Sequence, residues 1–397
     1  MNLTKLPLRF LLLPGLLGLA FSAHAQSRIS AITTAVPIFT VSPDARAAAL
    51  GEAGVATSPD ANASYFNAGK LGFIRYKHSA SVSYTPWLAT IANDMGLAYL
   101  SGVTKVGERG ALSTALTYFD LGEIQYRDAQ GNAGPIFNPK EYALNVGYGQ
   151  KLSDNFGVGL NVRYIRSNLT GGFADFKPAN AVAVDLGAYY NKDFTIGGGS
   201  YNLGLGAAVS NIGNKITYTD PNQADFLPTN LKLGTAITRE LDAYNKITLV
   251  FDANKLLVPS PYYIEGRPDN DPEVEAERER RANFGIVRGI TSSFSDAPGG
   301  FREELREINL STGLEYTYND LLMARVGYFY ENPLKGNRQY LSFGLGVRYQ
   351  VFGVDGAYLV PNSRVNPLAQ TIRVSLHFNF NELQEAFGGS SSDETTN

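Results

Sequence analysis

Thr371–Phe380 reads TIRVSLHFNF, and its alternation decides the fold. Ile372, Val374, Leu376, Phe378 and Phe380 fall on one face of an extended chain. Arg373, Ser375, His377 and Asn379 fall on the other, because side chains two apart in a strand point the same way. Tyr340–Gln350 repeats the pattern, with Leu341, Phe343, Leu345, Val347 and Tyr349 opposing Ser342, Gly344, Gly346 and Arg348. Phe156–Arg166 sets Val158, Leu160, Val162 and Tyr164 against Gly159, Asn161 and Arg163. Each segment has one apolar wall and one wall of polar residues or glycine.

The same rule predicts an all-β chain of about fourteen antiparallel strands. They fall near 78–88, 96–105, 110–120, 141–151, 156–166, 181–193, 201–212, 230–240, 246–255, 307–319, 322–330, 340–350, 354–360 and 371–380. Most are close to the roughly 9–11 residues with which a tilted strand crosses a bilayer. Every second link is short and the links between them are longer, the longest running over 256–306. Short turns alternating with long loops are the mark of a transmembrane barrel, with the turns in the periplasm and the loops outside. A soluble sandwich shares the alternation but has no reason to sort its links. The expectation is a transmembrane β-barrel at 77–380, both ends of which lie in the periplasm.

Composition agrees with this. Tyr and Phe number 23 and 22 against one Trp, and Gly numbers 41. No run of eighteen apolar residues occurs, which excludes helical spans. Alternation also explains a negative mean hydropathy in a membrane protein. At the N-terminus, Lys5 and Arg9 precede an apolar run from Phe10 to Ala20, and Ala23-His24-Ala25 offers a small-x-small cleavage pattern. Residues 1–25 therefore read as a signal peptide. Losing Lys5 and Arg9 leaves 32 basic against 37 acidic residues, with no basic footprint for nucleic acid. There is no cysteine, hence no disulfide framework and no thiolate metal site. The 381–397 tail, ending SSDETTN, is polar and reads as a mobile periplasmic extension.

Residues 26–76 do not alternate. Ala45, Ala47, Ala48, Ala49, Gly51 and Gly54 allow close backbone approach, and Pro59 lies in the turn-forming run TSPDAN at 57–62. Fourteen strands enclose a lumen between the self-filled eight-stranded and the channel-forming sixteen-stranded sizes. The segment is expected to be a plug, or hatch, with a disordered leader as the other reading.

The run SPDARAAALGEAGVATSPDANASYFNAGKL at 42–71 is similar to the N-terminal hatch of FadL-type barrels. It keeps Asn67 of their Asn-Pro-Ala turn but continues with Ala68 and Gly69. GEAGVATSPDAN at 51–62 and SDAPGGFREELREI at 295–308 resemble the PorV (LptO) family more closely. That resemblance implies a non-enzymatic outer-membrane component of the type IX secretion system, in a bacterium of the Bacteroidetes type. It implies binding of cargo C-terminal signal domains at the SprA (Sov) translocon. Delivery to the surface attachment complex of the sortase PorU would follow. Integral contact with outer-membrane lipid and surface-exposed loops come with it.

The 256–306 link carries helix signals. Asp271 reads as an N-cap with Pro272 at the first helical position, Glu277 faces Arg281, and Glu275 faces Arg278. Phe284, Val287 and Thr291 form a semi-apolar stripe, with Ile286, Ile290 and Phe294 beside it. PGG at 298–300 ends the helix, and Phe301, Leu305 and Ile308 lead into the next strand. The plain reading is a cap over the mouth; the functional one is a docking surface. Candidate partner-binding residues are Ile136, Phe137, Phe173, Phe176, Phe226, Leu227, Tyr262, Tyr263, Ile264, Phe284, Phe294 and Phe301, since rigid aromatics are favoured interface anchors. Each equally suits packing that holds the loops shut.

No catalytic, cofactor or metal residue is expected. Only His78 and His377 follow the leader, and Ser375 near His377 is no proof of a catalytic pair. Asp269, Asn270 and Asp271 lack the spacing of a calcium loop. The alternative function is a FadL-like transporter of hydrophobic small molecules, which needs an apolar lumen.

Overall fold

The computed structural model describes residues 29–381 apart from 89–91, 93, 128–129, 170–176, 219–223 and 363–370. The leader, and the tail after Asn381, lie outside the described residues. Fourteen strands close into one antiparallel barrel. They are β1 (His78–Pro86), β2 (Met95–Val106), β3 (Gly110–Leu121), β6 (Lys140–Lys151), β7 (Phe156–Asn168), β8 (Ala179–Ile196) and β9 (Gly199–Gly213). The circle continues through β10 (Asn230–Glu240), β11 (Asn245–Leu256), β12 (Ile308–Tyr318), β13 (Leu322–Tyr330), β14 (Gln339–Tyr349), β15 (Phe352–Pro361) and β16 (Ile372–Phe380). Two further strands, β4 (Ile124–Arg127) and β5 (Ala133–Phe137), form a separate hairpin on the link after β3. Among the described residues no helix is long and apolar enough to cross a membrane.

Closure is made by β1 against β16, where Ser83 pairs with Ser375 and Val82 with Leu376. Every barrel strand thus has two partners, and no edge is left with unpaired backbone groups, the condition a bilayer imposes. The alternation sorts as the sequence predicts. Val82, Leu144, Leu249, Leu345, Val374 and Leu376 face outward and are exposed. Their neighbours Ser81, Ser342, Asp355, Arg373, Ser375 and His377 point inward and are buried.

The short links 107–109, 152–155, 197–198, 241–244, 319–321 and 350–351 gather at one end of the barrel, and the long ones at the other. Antiparallel order requires this. The longest, 257–307, holds three helices: α3 (Pro272–Ala282), α4 (Ile286–Ser292) and α5 (Phe301–Arg306). The expected single helix is broken at Asn283–Gly285. Asp271 caps α3 by accepting from Glu273 N–H, with Pro272 in the first turn.

Residues 29–77 pack against the inner wall, through the one-turn helices α1 (Ala45–Ala49) and α2 (Ala63–Phe66) and two 3-10 turns. The wall is cut to fit them. A Cβ on Gly159 would come within 2.2 Å of Ala68 O, and one on Gly327 within 2.1 Å of Gly51 N. Gly206 and Gly234 meet Val55 in the same way. On the hatch side, Gly51 has φ +67°, and a Cβ there would strike Tyr328 O at 2.5 Å. Inward glycines and hatch small residues are thus two halves of one interface.

A closed barrel is expected to migrate faster unboiled than boiled in detergent gels, and Gly159→Val should prevent the hatch from seating and abolish that fast-migrating form. Leu160→Val, one residue along on the lipid side, should keep it. Equal mobility shifts for both variants would show that the socket is not needed.

Candidate functional site

The lumen is occupied by charge rather than by space. Hatch Arg46 pairs with Glu315 of β12 and with Asp60, each at 3.1 Å. Glu315 also takes Arg325 Nε at 2.6 Å, Arg325 reaches Asp355 at 2.8 Å, and Asp355 takes Arg348 at 2.6 Å and His377 at 2.8 Å. Glu52 meets Arg373 of β16 at 3.1 Å and accepts from Tyr340 OH of β14 at 2.8 Å. Asp252 of β11 accepts from Gly54 N–H and Val55 N–H at 2.7 and 2.9 Å. Asn67 donates to Val55 O and Ala188 O and accepts from Gly69 N–H. Such bonds are worth about 1–3 kcal/mol each, and removing one partner of a buried pair costs more than the pair contributes. The hatch is fixed to the wall through several strands at once.

Ser375 Oγ is spent on this structure, meeting Ser83 Oγ at 2.7 Å and accepting from Ala45 N–H at 2.9 Å, while His377 turns to Asp355. No group of metal-ligating side chains occurs among the described residues. A cavity of about 40 Å³ lies between hatch and wall, lined by Glu52, Lys232, Asp252, Asn254 and Arg338 among others.

The functional surface is therefore sought at the long-link end, where the cap is built inside out. Helix α5, FREELR, buries its acids and exposes its apolar residues. Lys255 at the end of β11 meets Glu304 at 2.9 Å and Glu307 at 2.7 Å. Lys335, on the link after β13, pairs with Glu303 and with Glu307. Ser260 Oγ and Tyr263 OH donate to Glu307 and Glu303. The two lysines fix the orientation of α5, so Phe301, Arg302, Leu305 and Arg306 are turned to solvent. Burial pushes the Glu303 carboxyl up, but Lys335, the Gly299 N–H and Tyr263 outweigh it and hold the group below the usual range. Glu277, bonded by Arg280 and Arg281, is lowered to about 2. Arg278 pairs with Asp269 instead of Glu275.

The predicted partner-facing residues divide by exposure into three sets, with two more outside the described residues. Ile136, on the β4–β5 hairpin, Phe294 and Phe301 are exposed, Phe301 by 77%. Phe284 and Leu227 are buried, with Arg288 and Arg280 over the Phe284 ring at 4.1 and 5.3 Å. Phe137, Phe226, Tyr262, Tyr263 and Ile264 are half-buried. Phe226 packs beneath Gly289 with the Lys215 ammonium 4.4 Å above it, and Tyr262 lies under Arg281. Phe173 and Phe176 lie outside the described residues. In the hatch, Gly51, Gly54 and Asn67 are buried in the interfaces above, and Pro59 is half-buried beside them. The residues that hold the cap, Lys255, Lys335, Glu303, Glu304 and Glu307, escaped sequence reasoning. The signal for them was three acids at helical spacing between apolar residues.

A closed barrel with an apolar outer wall, a charge-bound hatch and a capped mouth defines a plugged outer-membrane β-barrel protein. The family model described as type IX secretion system protein PorV matches residues 23–263, more than half of the chain. The chain belongs to that family, and is an outer-membrane component of type IX secretion. No curated protein matches it in sequence. Among solved structures it is similar to the Ralstonia pickettii toluene transporter TbuX, at 12% identity over 85% of this chain and 98% of that one, with a TM-score of 0.46. The P. putida toluene transporter TodX gives 11%, 85% and 98%, and 0.46. A Pseudomonas aeruginosa FadL homologue gives 11%, 89% and 100%, and 0.43.

Two outcomes follow from these contacts. Glu315→Gln strips Arg46 and Arg325 of a shared charge and should lower the temperature at which the compact form is lost, at a cost of about 3 kcal/mol; an unchanged transition would show the network to be dispensable. The cap should loosen in acid. A carboxyl whose folded pKa is depressed contributes fully above its unfolded pKa and loses that contribution as pH falls through the folded value. For Glu303 and Glu277 that window lies below about pH 4. Asp296, raised by burial, is protonated earlier and opposes the change. Hydrogen exchange in 257–307, corrected for intrinsic rate, should be flat from about pH 5 to 8 and rise below about pH 4, with β14 unaffected.

Proposed function

We propose that this protein is a non-enzymatic carrier that binds the C-terminal signal domain of cargo at the SprA (Sov) translocon. It then delivers the cargo to the PorU sortase complex at the cell surface. The long-link end faces outward in this reading. The observation that carries it is a set of apolar side chains held in solvent on a rigid cap: Val287, Phe294, Phe301 and Leu305, beside Arg288, Arg302 and Arg306. Exposed apolar groups interleaved with arginine, Phe301 and Leu305 among them turned outward by a buried ionic clasp, have the composition of an interface that fills on binding. Transport of hydrophobic small molecules is a poorer fit. Pockets for such ligands are mostly apolar and run to roughly 300–1,000 Å³, whereas the cavity between hatch and wall measures about 40 Å³ and is lined by charged groups.

Phe294→Ser with Phe301→Ser should reduce co-purification of cargo about tenfold or more, as loss of interface anchors does, while membrane insertion and gel mobility stay unchanged. Undiminished capture removes these residues from the surface. Deleting the gene separates the two functions. A carrier's loss leaves cargo with intact C-terminal signals in the periplasm, whereas impaired fatty-acid uptake with normal secretion would favour transport.

A further inference from the structure

The chain enters the barrel at one mouth and leaves at the other. At the long-link mouth, Ser30 N–H donates to Leu334 O at 2.8 Å, Ser30 Oγ donates to Glu303 Oε1 at 3.1 Å, and Ala35 N–H donates to Phe226 O at 2.9 Å. Those acceptors stand on three different long links: 331–338, 257–307 and 214–229. Midway down, Leu50 lies against Gly313 and Gly327, and Val55 against Gly206 and Gly234. At the far end, a Cβ on Gly72 would meet Lys151 N, Gln150 C and Arg109 O, and Lys105 Nζ donates to Arg75 O at 2.8 Å. These residues adjoin the short turns 107–109 and 152–155.

We infer that residues 29–77 form a strap that crosses the outer membrane inside its own barrel, presents Ile29 at the cell surface, and there clasps the long links into the partner-binding face. Ser30 is buried while Ile29 beside it is 70% exposed, so an apolar side chain is held in solvent by an anchored neighbour, next to the cap's own apolar set. The clasp acts on α5 directly. The Glu303 carboxylate that receives Ser30 Oγ also receives Lys335 and Tyr263, so strap, cap and rim share one acceptor. The membrane sidedness of this inference rests on the outward orientation given to the long links; the threading does not.

The absence of cysteine makes the test direct. Single variants Ile29→Cys, Arg302→Cys on α5 and Asp154→Cys in a short turn are treated with a membrane-impermeant maleimide, on intact cells and after outer-membrane permeabilisation. Ile29→Cys should label on intact cells as Arg302→Cys does, and Asp154→Cys only after permeabilisation. Ile29→Cys behaving like Asp154→Cys, or never labelling, overturns the strap. Exchange of the Arg302→Cys and Asp154→Cys patterns overturns the sidedness alone, provided Ile29→Cys still follows Arg302→Cys. For the clasp, Ser30→Pro removes both donors. Tryptic cleavage at 278–281 in the detergent-purified protein should then quicken about fivefold, the factor expected for one net hydrogen bond, with gel mobility kept. Unchanged cleavage overturns the clasp. Should Ser30→Pro fail to assemble, Ser30→Ala, which loses only the Oγ bond, is read in the same way.

Discussion

A backbone N–H or C=O left unpaired in hydrocarbon costs several kcal/mol, and the whole architecture follows from avoiding that. Fourteen strands satisfy the rule only by closing, β1 onto β16. Closure at this strand number makes a lumen that side chains alone do not fill, and residues 29–77 fill it. Because those residues are small and mostly without regular structure, their polar groups need partners from the wall. Asp252, Arg373, Glu315 and Asn161 supply them. Polar residues on the inner face thus answer two needs: pairing of the hatch's charged side chains, and satisfaction of its backbone.

The period-two pattern is local and repeated, so strand number, facing and link sorting could all be read from stretches such as TIRVSLHFNF. The hatch could be read as a plug because fourteen strands imply a space and 42–71 is rich in small residues. What could not be read was which glycine receives which turn. Gly159 meets Ala68 across 91 positions, and such contacts depend on barrel tilt and register, for which one sequence holds no local signal. The β4–β5 hairpin was missed for a related reason: its strands are short and all but fully exposed, so no buried face imposes alternation.

The cap shows where propensity reading misleads. Phe301, Leu305 and Ile308 have the spacing of a buried stripe, yet Phe301 and Leu305 are exposed and Glu303, Glu304 and Glu307 are buried. Two lysines from distant parts of the chain, Lys255 and Lys335, reverse the face of the helix. The reversal is a tertiary effect, since three clustered acids without those lysines would repel one another and remain in water. The burial of several candidate aromatics accordingly depends on contacts invisible in sequence, such as Gly289 lying across Phe226 and Arg281 over Tyr262.

A lumen stoppered by ion pairs also constrains what the protein does. Releasing the hatch would strand Arg46, Glu52 and Asp252 together, and the cost of several uncompensated buried charges exceeds what a small apolar ligand returns on binding. In the carrier reading proposed above, recognition is displaced from the interior to the mouth. There the clasp of Lys255, Lys335 and the three glutamates makes rigidity and exposure compatible: the ordering entropy is lost when the cap folds rather than when a partner arrives. For the proposed carrier, which would hold one domain and then surrender it, a preformed, shallow, partly charged face serves better than a deep pocket, because its contacts form and break without unfolding the barrel beneath.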